Sequence, residues 1–435
     1  MNNESPTLLR VGKNALARFL AQVWVRLLSM VLVALVARYE SAEGLGRYVL
    51  VLTIVGFAGA LFDLGLTTFL TREVAREGDL DRQRNLLGTV LSLRLVLSIA
   101  GTLGLLALAT FAPFPAETRR LLPIGALLVL PEAIMGILRA LVHARQRMEI
   151  SGGIDMVVRL VAVAVSFLAL RVGFGVLGVL LAAFGASLLG VLMYAVVTWR
   201  WRVLRHFPWA PTAWRACLAE SYPFALTSIA AVIYTRIDLV LLGLWQGEIV
   251  TGWYAAAYKL WEAVGLLPAS VLEALFPEMS RLSTRPGGRQ GLSRLFRNAS
   301  WIMVVAGLLL AAAGMLIAPL LMTIVYGSEG NYAPAVLPFR LLICAVPAMF
   351  LYLLGGHVLY ALGRQRRVTV VMMAVGVVNV VLNVALIPRW SYWAAAAVAL
   401  LCEWLLAGLL YPQARRALAA REVEPHLHVD LDAHE

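Results

Sequence analysis

Residues 368–388 read VTVVMMAVGVVNVVLNVALIP, 21 positions without a charged side chain. The hydrocarbon core of a bilayer takes about 20 apolar residues of helix. Backbone placed there must satisfy its own hydrogen bonds, which a helix does. The run is therefore predicted to be a membrane-spanning helix, bracketed by Arg364, Arg366 and Arg367 at its start and Arg389 at its end. Moving outward, the same pattern of apolar run and basic boundary predicts further spans near 15–37, 47–70, 85–111, 120–142, 153–171, 174–199, 217–244, 250–276, 298–325, 334–361 and 392–414, about twelve in all. Composition agrees. Of the 435 residues 61% are hydrophobic and 14% charged, with mean hydropathy +0.82, against roughly one quarter charged in soluble domains.

Orientation follows from the basic residues, because cytoplasmic loops retain Lys and Arg. The segments before the first span, after even-numbered spans and in the tail hold 24 of the 37, while those after odd-numbered spans hold six: Arg38, Arg47, Arg119, Arg120, Arg171 and Arg389. Both termini are thus predicted to be cytoplasmic. The net charge of +12 reads as topology and not as a nucleic-acid footprint. The first run carries Arg26 near its middle and is too long for a signal-peptide core, so it counts as a retained helix. Cys217, Cys344 and Cys402 are scattered, which argues against a disulfide framework or zinc pair. The longest connections, about 200–216 and 277–297, are too short to fold as catalytic domains. No cofactor is expected. The tail at 415–435 is polar, and its His426, His428, Asp430, Asp432 and His434 read as a solvated segment in preference to a metal site.

An internal duplication organises the chain. Arg145-Gln146-Arg147 recurs as Arg364-Gln365-Arg366, an offset of 219 residues. Trp24-Val25-Arg26 resembles Tyr234-Thr235-Arg236, and Gly46-Arg47-Tyr48 resembles Gly252-Trp253-Tyr254. Six helices used twice predict two lobes, residues 1–205 and 206–414, with the tail after them. Because six is even, both lobes start on the same side, and the repeat is parallel. Two such lobes enclose a cavity, and rocking one against the other gives alternating access. Pro131, Pro268, Pro319 and Pro347 are candidate bends, although prolines are also tolerated in membrane helices.

Seven basic residues remain inside the predicted spans: Arg26, Arg94, Arg139, Arg159, Arg236, Lys259 and Arg340. Each facing lipid would cost roughly 2.5–3.5 kcal/mol at the bilayer centre, so they must face protein, water or headgroups. Asp155 with Arg159, and Lys259 with Glu262, have the spacing of local helical pairs. Arg139 and Arg340 lie near span ends, where long side chains reach the interface. Arg26, Arg94 and Arg236 have no such partner and are candidates for an anionic group, with Arg159 and Lys259 beside them in the cavity. A pyrophosphate suits them, since guanidinium offers forked, always-charged donors.

A second constellation breaks the repeat. Asn379 and Asn383 stand where the first lobe has Leu160 and Ala164. With Asp238 and Glu403 they form either an ion-coupling site for Na⁺ or a proton or a set of interhelical hydrogen bonds. Energy from bound nucleotide is not indicated, because no G-x-x-x-x-G-K-[ST] occurs; Gly173-Phe174-Gly175-Val176-Leu177-Gly178 mimics G-x-G-x-x-G but joins two apolar runs, so it reads as a tight turn.

The stretch GLGRYVLVLTIVGFAGALFDLGLTTFLTREVAR (44–76), the blocks YTRIDLVLLG, GWYAAAYKL and LFPEMSRL within 222–282, and LYALGRQ followed by VVNVVLNVALIP resemble the oligosaccharide flippases. These are the O-antigen and polysaccharide exporters of the multidrug/oligosaccharidyl-lipid/polysaccharide superfamily. The resemblance implies an all-α, V-shaped bundle in the bacterial inner membrane that moves undecaprenyl-pyrophosphate-linked sugar to the periplasmic leaflet, driven by an ion gradient. It further implies contact with membrane lipids and with polysaccharide polymerase and chain-length partners. In the related peptidoglycan-precursor flippases first-helix arginines serve the pyrophosphate, which Arg26 matches. Their cation site resembles Asp238, Asn379 and Asn383, although Asn383 replaces an expected carboxylate. They also carry two additional helices without counterpart here. A multidrug/cation antiporter of the same superfamily is the alternative, set back by the deep arginines. A membrane polymerase or glycosyltransferase is set back by the short external loops.

Overall fold

Backbone surrounded by apolar side chains gains most from satisfying itself locally, and the fold is helical throughout the residues described. The computed structural model describes residues 5–201, 211–285 and 287–419, with side chains from residue 21 onward. The predicted His-rich tail end therefore lies outside the described residues.

Helix α1 (Ser5–Asp63) and, last among the described elements, helix α14 (Gln365–Ala419) have 59 and 55 residues. Straight, they would run roughly 80–90 Å, nearly three hydrocarbon thicknesses. Each is broken once, at Ser41 (φ 64°) and Ser391 (φ 55°). An L-residue in this region carries a cost of about 1–3 kcal/mol and persists only where its surroundings hold it.

Between them lie α2 (Leu66–Arg76), α3 (Leu80–Phe111), α4 (Ala116–Ala126), α5 (Val129–Ala144), α6 (Met148–Val172), α7 (Gly175–Arg200), α8 (Trp214–Trp245), α9 (Glu248–Val264), α10 (Leu266–Thr284), α11 (Gly288–Tyr326), α12 (Val336–Ile343) and α13 (Val346–Ala361). Eight stretches are long and apolar enough to cross a membrane, and two bent pairs bring this to ten. With α1 and α14 counted on both sides of their serines, the described residues contain twelve segments in the predicted order.

The two bent pairs correspond closely. Helices α4 and α5 meet at 42°, and the segment Ala333–Ile343 meets α13 at 41°. Pro131 and Pro347 lie in the first turn beyond each bend, where a missing N–H costs no helical bond. Pro319, in contrast, sits inside the unbroken α11. The predicted helix over 47–70 ends early, at Asp63, because Leu64 (φ 46°) and Gly65 (φ 73°) are left-handed. A side chain on Gly65 would lie 2.6 Å from Ala225 N and Ser221 O of α8, so this turn seats directly on another helix. Gly173 (φ 89°) and Gly175 (φ 59°) form the tight turn between α6 and α7.

Among the glycines described, the tightest approach of two helices joins the two related Gly-x-Tyr motifs. A Cβ on Gly46 would lie 1.8 Å from the carbonyl oxygen of Glu248, and one on Gly252 would lie 1.8 Å from that of Ala42. The same offset of 206 residues carries Gly46 to Gly252 and Ala42 to Glu248. The duplicated segments therefore meet face to face about a local twofold, with small residues letting the backbones touch as they do in membrane interfaces. Large exposed apolar side chains such as Ile302, Leu309, Leu316 and Leu320 cover the outer face of α11.

Candidate functional site

A cavity of about 320 Å³ opens among α1, α6, α8 and α9. Arg159, Arg236 and Lys259 line it, from both duplicated segments, and among the described residues none of the lining is Asp or Glu. Glu262 stands just behind, accepting from Arg236 Nη2 at 3.1 Å through one oxygen and from Lys259 Nζ at 2.8 Å through the other. The Arg236 guanidinium also lies over the Tyr258 ring, 5.4 Å from its centroid. Arg159 Nη2 donates to Ser29 Oγ at 2.8 Å, while its Nε is buried without an acceptor. One carboxylate shared by two cations, beside a third with no counter-charge among the described residues, leaves this hollow electropositive and one donor short of satisfied. In a low-dielectric surround such a set favours an anion with several acceptor oxygens.

The other sequence candidates lie elsewhere. Arg94, expected with them, is buried against Asp63 at 3.4 Å and donates to the Gly59 carbonyl at 3.3 Å. Its partner sits on a neighbouring helix, which helical spacing cannot reveal. Arg26 is exposed and borders two other clefts, a small one with Glu273 and one of about 330 Å³ with Arg139 and Asp155. The expected Asp155–Arg159 pair does not form. Asp155 instead takes Arg139 Nη2 at 2.9 Å and the Tyr194 hydroxyl at 2.9 Å, so Arg139 is paired across helices rather than reaching for the interface. Arg159 is thereby released toward Ser29. The Lys259–Glu262 pair forms as its spacing predicts. Arg340 Nε donates to the Met315 carbonyl at 3.2 Å.

The four residues proposed for ion coupling are all buried, in three separate hydrogen-bonding sets. Asp238 accepts from the Tyr254 hydroxyl at 2.5 Å and from Leu239 N at 2.8 Å. Asn383 Nδ2 donates to Asn379 Oδ1 at 3.2 Å, and Asn379 Nδ2 reaches Cys402 Sγ at 3.7 Å. Glu403 accepts from the Tyr234 hydroxyl at 3.3 Å. Two oxygens, Asn383 Oδ1 and Glu403 Oε2, are buried without a donor. Among the described residues no cluster of three or more His, Cys, Asp or Glu is placed to hold a metal. Sequence reasoning passed over Tyr234, Tyr254 and Tyr258, which hold or cover these charges. Their signal was present: Tyr254 and Tyr258 are one turn apart in YAAAY, a helix face otherwise made of small residues.

Comparison with known proteins places this geometry in context. Residues 11–283 match the family model described as polysaccharide biosynthesis protein, and residues 223–385 match the MatE model. A putative O-antigen transporter from Shigella dysenteriae is 24% identical over 189 residues, 43% of this chain and 46% of that relative. The match thus spans about half the length of the curated relative. Among solved structures, the lipid II flippase MurJ in an inward closed conformation aligns over 92% of this chain and 88% of its own, with TM-score 0.74 and 12% identity. An inward-facing multidrug resistance MATE family transporter aligns over 93% and 98%, with TM-score 0.64 and 14% identity.

Proposed function

The chain belongs to the polysaccharide biosynthesis protein family, whose fold is that of transporters and not of enzymes, and we propose that it carries an undecaprenyl-pyrophosphate-linked oligosaccharide from the cytoplasmic to the periplasmic leaflet of a bacterial inner membrane. One observation carries this reading: Arg159, Arg236 and Lys259 share a cavity whose walls, among the described residues, hold no carboxylate. A diphosphate supplies the acceptor oxygens that such donors lack. The sugar and the lipid chain would follow it through the space between helices. A multidrug or cation antiporter, the alternative within the superfamily, would need acidic walls here, and Glu262 is already shared between two cations.

Residues 1–205 and 206–414 act in this proposal as two six-helix lobes, supported by the matched bends before Pro131 and Pro347 and by the symmetric contact of Gly46 with Gly252. Their rocking alternates access, with both termini cytoplasmic as the arginine distribution favours. Coupling to H⁺ or Na⁺ falls to Asp238, Asn379, Asn383 and Glu403, where the unpaired Asn383 Oδ1 and Glu403 Oε2 are hard oxygen donors to a cation or proton. Arg26, at the two neighbouring clefts, would meet the headgroup on entry.

The test is complementation of a strain lacking its own exporter. Arg159→Ala and Arg236→Ala, at wild-type protein levels, are expected to lower surface polysaccharide at least about tenfold, while the Lys variants keep part of it. Full export by both Ala variants would remove the phosphate-bearing cargo.

A further inference from the structure

A second, separate basic hollow lies at the start of α14. Arg364, Arg366, Arg367 and Arg416, with Gln413, line a cleft of about 590 Å³. None of the four arginines has a carboxylate partner among the described residues, and between Glu329 and Glu403 the sequence contains no Asp or Glu at all. This sets the cleft apart from other basic segments predicted to lie on the same side. There Arg72 pairs with Glu73 and Glu220, Arg82 with Glu77 and Asp79, and Arg281 with Glu278. The arginines also repel one another. Arg364, in the turn between α13 and α14, is lowered from its ordinary value by burial first and then by the charges of Arg367 and Arg289.

What stands beside the cleft identifies its occupant. Val370 lines it and is itself exposed, and Met373 and Val377 continue the same exposed apolar stripe along α14. Positions 370, 373 and 377 share one helix face. A stripe of that kind faces acyl chains, so the four arginines stand at the level of the lipid headgroups. We propose that this cleft binds the phosphodiester headgroup of an anionic phospholipid, whose acyl chains lie along Val370, Met373 and Val377. Opposed guanidinium groups then gain a counter-charge that the described residues do not supply. A soluble phosphate would fill the donors but would leave the apolar stripe unused. The site is distinct from the transport cavity and holds whatever cargo that cavity takes.

Native mass spectrometry of the purified full-length protein with added phosphatidylglycerol or phosphatidylcholine tests this. Wild type is expected to retain phosphatidylglycerol preferentially. The preference should fall more than about tenfold in Arg366→Ala/Arg367→Ala/Arg416→Ala, since each basic residue near an anionic surface contributes roughly a fivefold effect. The triple variant Arg72→Ala/Arg76→Ala/Arg82→Ala, which removes the same charge elsewhere, is expected to keep the preference. All three replaced cleft side chains are exposed, so folding should survive. A measurement on wild type stands independently: thermal stabilisation by phosphatidylglycerol vesicles, absent with phosphatidylcholine vesicles, should vanish at about 1 M salt as the screening length drops to about 3 Å. Preference retained by the cleft variant, lost equally in the control, or abolished in wild type by millimolar inorganic phosphate would each overturn the proposal.

Discussion

Arg47 and Glu248, 201 positions apart in the chain, form an ion pair with Nε 2.5 Å from Oε2. The other Glu248 oxygen accepts from Thr118 N at 3.0 Å and from Thr118 Oγ1 at 2.6 Å, and Arg47 also pairs with Glu43. A single buried carboxylate at the first turn of α9 thus ties together α1, α4 and α9, beside the Gly46–Gly252 contact. Placing that charge at a helix N-terminus adds the favourable end of the helix dipole.

In the proposed two-lobe cycle such a tie would hold the lobes closed at this end, so releasing it should favour opening. Glu248→Gln keeps the shape and removes the charge. Because Arg47 is only partly buried and retains Glu43, a loss of about 1–3 kcal/mol is expected rather than the full cost of a stranded buried ion. In a cysteine-free background carrying Val49→Cys on the cavity wall, labelling from outside the cell should rise severalfold. Unchanged labelling and an unchanged melting temperature would show that the pair does not act as a latch.

The glycine contact makes a steric prediction. A methyl group at Gly46 must displace the backbone carbonyl of Glu248, which no rotamer change can avoid. Gly46→Ala should cost about 1–3 kcal/mol as an overpacking change, and Gly252→Ala the same for the matching reason. Gly56→Ala, where a Cβ meets nothing within 4 Å, serves as control. Equal melting temperatures for all three would contradict the close approach.

Arg94 and Arg236 both have a carboxylate partner, yet they should behave differently on charge removal. Arg94 is buried with Asp63 away from the cavity, so Arg94→Leu should lower folded protein by leaving Asp63 unpaired, and Arg94→Leu/Asp63→Asn should recover both folding and export. Arg236→Leu/Glu262→Gln should fold but fail to export, because the cavity has lost a donor to its cargo. Export measured as surface polysaccharide per unit of membrane protein separates the cases. Rescue of both pairs alike would assign Arg236 a purely structural role.

The proposed ion coupling can be tested without knowing the glycan. Glu403→Gln and Asn383→Leu each remove a buried oxygen that lacks a donor, and in membrane vesicles each should flatten the dependence of flipping on an imposed Na⁺ or proton gradient. Cys402→Ser, which keeps an acceptor for Asn379 Nδ2 and touches no proposed coupling residue's own oxygen, should leave most of it. Wild-type gradient dependence in Glu403→Gln would move the coupling site elsewhere.

The sequence alone determined the class of molecule, the order of its spans, the duplication and the family resemblance. Each rests on local chemistry: a run such as 368–388 cannot be dissolved elsewhere, Arg-Gln-Arg marks two equivalent boundaries, and Gly46 and Gly252 announce where helices can touch. The breaks at Ser41 and Leu64 were less legible, since a left-handed residue is imposed by what packs on either side and not by its own preference. Charge pairing was decided only by tertiary structure. Spacing along one helix suggested Asp155 with Arg159, but the strongest available partner for Asp155 stood on α5, and the same competition buried Arg94 against Asp63 while leaving Arg159 with Ser29 at the cavity. A membrane interior leaves few polar alternatives, so each charge takes whatever opposite charge or oxygen the neighbouring helices present, and that partner can stand anywhere from 16 to 130 residues away.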